Sequence, residues 1–428
     1  MKTKTKTKTT IKASLLLGCS FTLLPLASAQ ASDPALYKVL LENNVITQAQ
    51  YEKLMKTKDV KASINPKGKL KFQSETGDFQ YQLGGRIMTD AAFYNDDVTD
   101  LASGTEFRRT RLFVKGRMYK NWIFKANIDW AGNATAIKDM YLGYDFDPMV
   151  IRFGQFGESG GMEDISSSKY ITFMERSLPH LAFAPAARRI GVALNTYGNN
   201  WSWAGGIFGE GDSADGGDDE GSGFSTRLTY TPWRSGKNML HLGASFQARD
   251  PETNTLRFRA RPEAHIDSTR FVNTGTMEAI DSYTTSGLEL AMVNGPFSFQ
   301  SEYLTTGVDR KNGLSDLDFD GYYLYGSWFV TGEYRPYDVK SGTFGRVKPK
   351  RNISQGGIGA WELALRFSHL DLNDNDIRGG KESNTTLGLN WYVNPNIRFM
   401  FNYIYVDADN DVQDEDFDLF QTRAQIDF

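Results

Sequence analysis

The feature that most limits what this chain can fold into is a period of two that runs from Phe79 to the last residue. Tyr81, Leu83 and Ile87 alternate with Gln80, Gln82 and Arg86; Trp122, Phe124, Ala126, Ile128 and Trp130 alternate with Ile123, Lys125, Asn127 and Asp129. Successive side chains of a strand point to opposite faces, so each segment presents one apolar and one polar face. A strand buried on both faces is continuously apolar, and a half-buried strand of a soluble sheet is usually shorter. Alternation over roughly ten residues, with aromatic residues at both ends, is the pattern of an outer-membrane barrel. Hydropathy alone hides it, because no apolar run past the N-terminal leader reaches the roughly 18 residues a membrane helix needs.

Alternating segments fall at 79–94, 105–118, 122–131, 137–145, 149–156, 187–196, 200–209, 222–232, 237–249, 281–293, 296–308, 318–333, 357–371, 381–394, 396–409 and 415–428. Sixteen is an even number, as closed bacterial barrels require. The expected fold is all-β: a 16-stranded antiparallel transmembrane β-barrel with a long inward-folded constriction loop and a short N-terminal periplasmic helical segment. Short turns at 119–121, 147–148, 198–200, 294–296 and 394–396 alternate with long connections, which puts the turns in the periplasm and the loops outside. The connection 334–356 breaks this rule, being long yet periplasmic by the count.

Residues 1–29 read as a cleaved signal peptide: a basic start (Lys2, Lys4, Lys6, Lys8, Lys12), an apolar stretch at 15–26 and the small residues Ala27-Ser28-Ala29. Residues 30–66 are expected to be the helical segment, with Thr47 as a helix N-cap, and 67–428 the barrel. Removing the leader takes away five of 48 basic residues and no acid, leaving 43 against 52 and a net charge of −9. Nucleic acid is therefore not an expected partner. The single cysteine, Cys19, also leaves, so no disulfide framework is available.

The period breaks longest after Phe156, in GQFGESGGMEDISSSKYITFMERSL, and resumes near Arg189. A loop of this length inside an ordered domain is usually functional. Phe156, Met162, Tyr170, Phe173 and Met174 give it apolar anchors, and it is expected to fold into the lumen as the constriction.

Acidic residues cluster in the predicted extracellular loops, and basic ones on predicted lumen faces: Arg86, Arg109, Arg111, Lys115, Arg117, Lys125 and Arg227. Arg257, Arg259 and Arg261 stand at i, i+2 and i+4, so an extended backbone points them the same way, about 7 Å apart. Guanidinium groups at that spacing suit stepwise passage of an anion. A second basic group near the periplasmic mouth comprises Lys67, Lys69, Lys71, Lys348 and Lys350. No spacing matches a metal loop, and no cofactor or metal is expected. The four histidines form no recognisable Ser-His constellation, so no enzymatic activity is expected.

The segments LLENNVITQAQYEKL, FRRTRLFVKG, GMEDISSSKYITFMERSL, RFRARPEAH, GTFGRVKPK and NWYVNPNIRFMFNYIYVD together resemble the phosphate-selective porins O and P, over nearly all of the mature chain. The resemblance implies an outer-membrane homotrimer that passes phosphate or polyphosphate, including pyrophosphate, in contact with outer-membrane lipid and lipopolysaccharide. It implies that Arg257, Arg259 and Arg261 form an arginine ladder, Arg108 and Arg109 line the pore wall, and Arg176 is the constriction arginine. Alternation alone points Arg108 away from the lumen. The loop departs from the family in carrying Gly157 and, after Glu163, Asp164 where phosphate-selective members place a lysine. An acid there opposes a dianion unless Arg176, Lys169 or the wall arginines offset it. A less selective general porin of the same family, passing other small anions or neutral solutes, is the alternative reading.

Overall fold

The computed structural model describes residues 34–55, 61–64, 70–95, 98–184, 188–210, 220–409 and 414–428. The signal peptide, Lys67 and Lys69 lie outside these. Residues 34–55 form a helix pair, α1 (Pro34–Glu42) and α2 (Gln48–Met55). Asn44, at φ +51°, ends the first. The second starts on a capping box: the Gln50 N–H donates to Thr47 Oγ1 at 3.2 Å and the Thr47 N–H to Gln50 Oε1 at 2.8 Å.

Among the described residues, sixteen long strands form one closed antiparallel barrel. They are β1 (Gln80–Asn95), β2 (Gly104–Met118), β3 (Trp122–Asp129), β4 (Ala136–Asp145), β5 (Met149–Gly157), β6 (Arg188–Tyr197), β7 (Trp201–Gly209) and β8 (Ser222–Ser235). Then follow β9 (Asn238–Asp250), β10 (Ile280–Asn294), β11 (Phe297–Arg310), β12 (Leu317–Phe329), β13 (Ala360–Asp374), β14 (Ile377–Tyr392), β15 (Ile397–Asp409) and β16 (Asp414–Asp427). Each pairs with the next, and β16 pairs back with β1, Ile426 opposite Ile87. The terminal Phe428 joins the closure: Gly85 N–H donates to its carbonyl at 2.9 Å and its own N–H to that of Gly85 at 3.2 Å. Closure leaves no strand edge unpaired in lipid, which is what permits a sheet to span a bilayer.

The outer face carries Ile207 and Leu288 at 64% exposure and Leu365 and Leu387 at 56%. Near the short turns it carries stacked aromatics: Trp361 on Trp391 (5.3 Å), Trp391 on Phe399 (5.6 Å) and Phe297 on Trp328 (6.1 Å). That is an apolar band with an aromatic girdle at one interface.

The inner face is not uniformly wet. Residues 251–279 fold inward, and Phe258, Val272, Met277 and Ile280 pack with inward-facing Leu304, Val308, Phe319 and Leu370 into an apolar core. Ala264 and Phe271 pack likewise on Ile404, Val406 and Leu419. The upper parts of β10–β16 are therefore apolar on both faces, which period-two reasoning does not anticipate. A second correction concerns the segments expected at 318–333 and 357–371. The first strand ends at Phe329 and the second starts at Ala360, with Gly332 (φ +81°) and Gly359 (φ +74°) marking the departures. The segment between them turns into the barrel from the short-turn side, with Tyr337–Asp338 and Thr343–Phe344 paired as a small hairpin.

Candidate functional site

The loop after β5 contains two short helices, α3 (Met162–Ile165) and α4 (Leu178–Ala182), and irregular backbone between them. That backbone has no ladder, so its polar groups need other partners. Inward-facing side chains of β13–β16 supply them. Arg398 donates to the Ile171 carbonyl (2.8 Å), Asn390 to Thr172 (2.8 Å), Arg423 to Met174 (2.5 Å) and Arg366 to Glu175 (3.0 Å); Asn402 accepts from the Met174 N–H (2.9 Å). The loop is thereby fastened across one wall, and the open channel is left along the other.

Glu175 is the ionic centre of this fastening. Arg108 binds it through two N–H groups at 2.8 Å each, and Arg423 at 2.7 Å while also holding Asp90 at 2.6 and 2.7 Å. Arg109 lies 3.8 Å away. Burial alone would raise the Glu175 carboxyl, but Arg108, Arg109 and Arg423 outweigh it and hold it well below the usual carboxylate range. Arg108 reaches it because of a β-bulge: Met88 faces Arg109 and Thr89 faces Phe107, so Arg108 is the extra residue and turns inward. The expectation that alternation directs it outward is thus corrected.

The channel holds a cavity of about 1440 Å³ lined by Arg86, Arg108, Arg109, Arg111, Arg117, Lys125, Lys138, Arg152, Arg176, Arg188, Arg227 and Lys340. Six acids face the same space: Asp139, Asp145, Asp147, Glu158, Asp164 and Glu175. Twelve cations against six carboxylates leave a positive surplus, although several are engaged in pairs. Arg111 binds Asp129 at 2.6 Å, Arg117 binds Asp145 at 2.5 Å and Lys125 binds Asp139 at 2.6 Å. Arg86 instead donates to the Ser168 hydroxyl at 2.6 Å, at the edge of a run of three serines, Ser166 to Ser168, that also lines the cavity. Cations and hydroxyl donors facing one space make a surface for a multiply charged oxyanion.

The expected site residues do not all meet there. Arg176 lines the cavity but spends its guanidinium on loop carbonyls, those of Glu163 (2.9 Å), Asp164 (2.7 Å) and Ser166 (3.1 Å). It braces the loop's shape, which accounts for an arginine in this position. Asp164 lines the cavity, and burial raises its carboxyl. Glu163 is turned away, buried and accepting from the Ser177 N–H (2.9 Å) and hydroxyl (2.7 Å). Lys169 is likewise not among the cavity's lining residues and lies 3.7 Å from Asp427.

Arg257, Arg259 and Arg261 share a face, as spacing predicts, with Phe258 and Ala260 buried between them. Arg257 donates to Asn273 (2.8 Å) and Arg261 to the His265 carbonyl (2.5 Å). Among the described residues none of the three makes an ion pair with a carboxylate, and none lines the cavity. Lys348 is exposed and Lys71 half-buried. Lys350 donates to the Thr331 carbonyl at 2.9 Å.

Sequence reasoning missed Lys138, Arg152, Arg188 and Lys340. Arg152 was legible, alternating with Ile151 and Phe153; Lys340 was not, because it arrives on the inward segment. That segment is held by buried Arg227, which donates to the Ser341 (3.0 Å) and Gly342 (2.9 Å) carbonyls while binding Glu289 at 2.6 and 2.7 Å. Also missed was His180, whose wholly buried ring lies between Glu163 (3.5 Å) and Glu302 (3.4 Å). Ser177 Oγ is 3.2 Å from its Nδ1. The spacing of Ser177, His180 and Glu302 is that of a nucleophile, base and acid, but Ser177 is fully buried and its hydroxyl donates to Glu163, so no substrate reaches it.

A family model described as phosphate-selective porin O and P matches residues 81–428. The chain is 28% identical over 417 residues to Porin O of Pseudomonas aeruginosa, covering 85% of this chain and 92% of that one. It is 30% identical over 363 residues to an uncharacterized protein of Caulobacter vibrioides, covering 80% and 71%. In fold it is similar to a loop L8 deletion mutant of OmpT, an outer membrane protein of Vibrio cholerae, with TM-score 0.55 at 12% identity, covering 82% of this chain and 100% of that one. It is also similar to an anion-selective porin from Comamonas acidovorans, with TM-score 0.52 at 12% identity, covering 81% and 100%.

Proposed function

From the premise that the chain belongs to the phosphate-selective porin O and P family, and so is an outer-membrane porin for anions, we propose that it passes phosphate and polyphosphate by passive diffusion. The observation that carries this reading is the basic surplus of the cavity together with Arg86 and the serines of the constriction loop. Trivalent or divalent oxyanions gain most from cations and hydroxyl donors spaced in series, each moderate enough to release them. Arg257, Arg259 and Arg261 act ahead of this site in the same reading, and Lys71, Lys348 and Lys350 beyond it. Lipid and lipopolysaccharide cover the outer face, and the working unit is a homotrimer, for which chemical cross-linking of the purified protein is the check.

The test is the reversal potential in a planar bilayer under a potassium chloride gradient, with and without phosphate, for wild type and Arg86→Gln. Anion preference with block of chloride current by phosphate, weakened in the variant, is expected. Cation preference would rule the reading out. One observation favours the second reading, a less selective porin passing other small anions or neutral solutes: Glu158, Asp164 and Glu175 place three carboxylates of the loop on the cavity. Anion preference without phosphate block would select it.

A further inference from the structure

Resting on the reading of an anion pore, we propose a second subsite on the inner wall of β3–β6 that retains anions carrying an apolar organic group, such as aryl or alkyl phosphates. Its charged element is Arg152. The guanidinium lies 4.4 Å from the centre of the Phe156 ring and 5.7 Å from that of Tyr141, and donates to Asn195 Oδ1 at 2.7 Å. Among the described residues it has no carboxylate within ion-pair distance, and its Nε and Nη1 have no hydrogen-bond acceptor. Every N–H of a guanidinium left over in this way is available to an incoming oxyanion.

What distinguishes this place from the rest of the channel is what stands beside the cation. Strand register sets Ile123 opposite Gly143 and Gly143 opposite Arg152, so the three occupy one inward-facing row. A Cβ on Gly143 would lie 3.1 Å from Ile123 Cγ1 and 3.2 Å from Arg152 Cγ, so the two side chains close over the glycine from either side. Val150, opposite Asn195, continues the apolar surface one row nearer the short turn. Ile123, Val150 and Tyr141 all line the cavity and are only partly buried. Branched aliphatic side chains facing a wet lumen gain nothing from water and nothing from a bare inorganic ion. They do gain from an organic substituent that covers them. An anion whose head meets Arg152 carries its substituent onto Ile123 and Val150.

Single-channel chloride conductance, titrated with inorganic phosphate or with phenyl phosphate, tests this in wild type, Arg152→Gln and Ile123→Ser/Val150→Ser. In wild type, phenyl phosphate is expected to half-block at about tenfold lower concentration than phosphate, the gain from covering roughly 55 Å² of ring surface. The double serine variant is expected to lose that preference while its phosphate block and unblocked conductance stay unchanged, and the latter also reports that the barrel has folded. Arg152→Gln is expected to weaken block by phenyl phosphate. Equal block by both anions in wild type, or a preference that survives the double substitution, overturns the subsite. Phenyl phosphate blocking where phosphate does not would sink the phosphate reading and support the subsite, and no block by either anion would overturn both.

Discussion

Raising the pH through 9 is expected to loosen the constriction loop, and His180 is the reason. Its ring is wholly buried, with Glu163 of the loop on one side and Glu302 of β11 on the other. Burial alone would lower its pKa, but these two carboxylates outweigh burial and raise it from 6.5 to about 9. A group whose folded pKa is raised stabilises the folded form fully below its free pKa. The contribution shrinks between 6.5 and about 9 and is absent above. Each tenfold change in proton affinity is about 1.4 kcal/mol, so the proton on His180 contributes roughly 3 kcal/mol to holding the loop. Hydrogen exchange of the peptide spanning 160–183, corrected for intrinsic rates and compared at pH 6 and 9.5, reads this directly. Protection in wild type should fall by roughly a hundredfold. In His180→Gln, which carries no titrating proton, it should be low at both pH values. Parallel pH profiles in the two proteins would refute the reasoning.

Arg423→Met leaves Asp90 buried without its ion-pair partner, while Glu175 keeps Arg108 and Arg109; a loss of about 3–5 kcal/mol is expected, read as a lower urea midpoint in detergent. Glu175→Gln removes one carboxylate from the cavity. At about 7 Å in water that charge disfavours a passing anion and favours a passing cation by about 0.6 kcal/mol each, about 1.2 kcal/mol between them, so the anion-to-cation permeability ratio should rise roughly sevenfold, measured by reversal potential. Gly161→Ala is expected to displace the loop and alter conductance, because its Cβ would collide with Glu302 Oε2 and lie 2.9 Å from His180 Nε2. An unchanged single-channel current in that variant would contradict this packing.

Period two and the spacing of short turns made the barrel legible, because alternation is a local property of strands that have lipid on one side. The same reasoning located the loop after β5, the shared face of Arg257, Arg259 and Arg261, and the N-cap at Thr47. It failed at Arg108, since a single bulge reverses the parity of every residue beyond it and leaves no mark in composition. It failed again for the inner faces of β10–β16, where Ile404 and Val406 meet an inward loop rather than water.

The sequence by itself determined that the chain crosses a membrane as strands, how many there are, and which loop is long enough to close the lumen. Only the tertiary structure decided which arginines remain available to an anion. Arg176, Arg366, Arg398 and Arg423 are spent on the carbonyls and carboxylates of an irregular loop that has no ladder of its own. Lys138 and Arg152 face the channel along the wall away from that loop's fastening, and Arg86 faces it while holding only the Ser168 hydroxyl of the loop. A guanidinium looks the same in a sequence whether it braces backbone or meets solute, and the difference lies in partners brought together from distant parts of the chain.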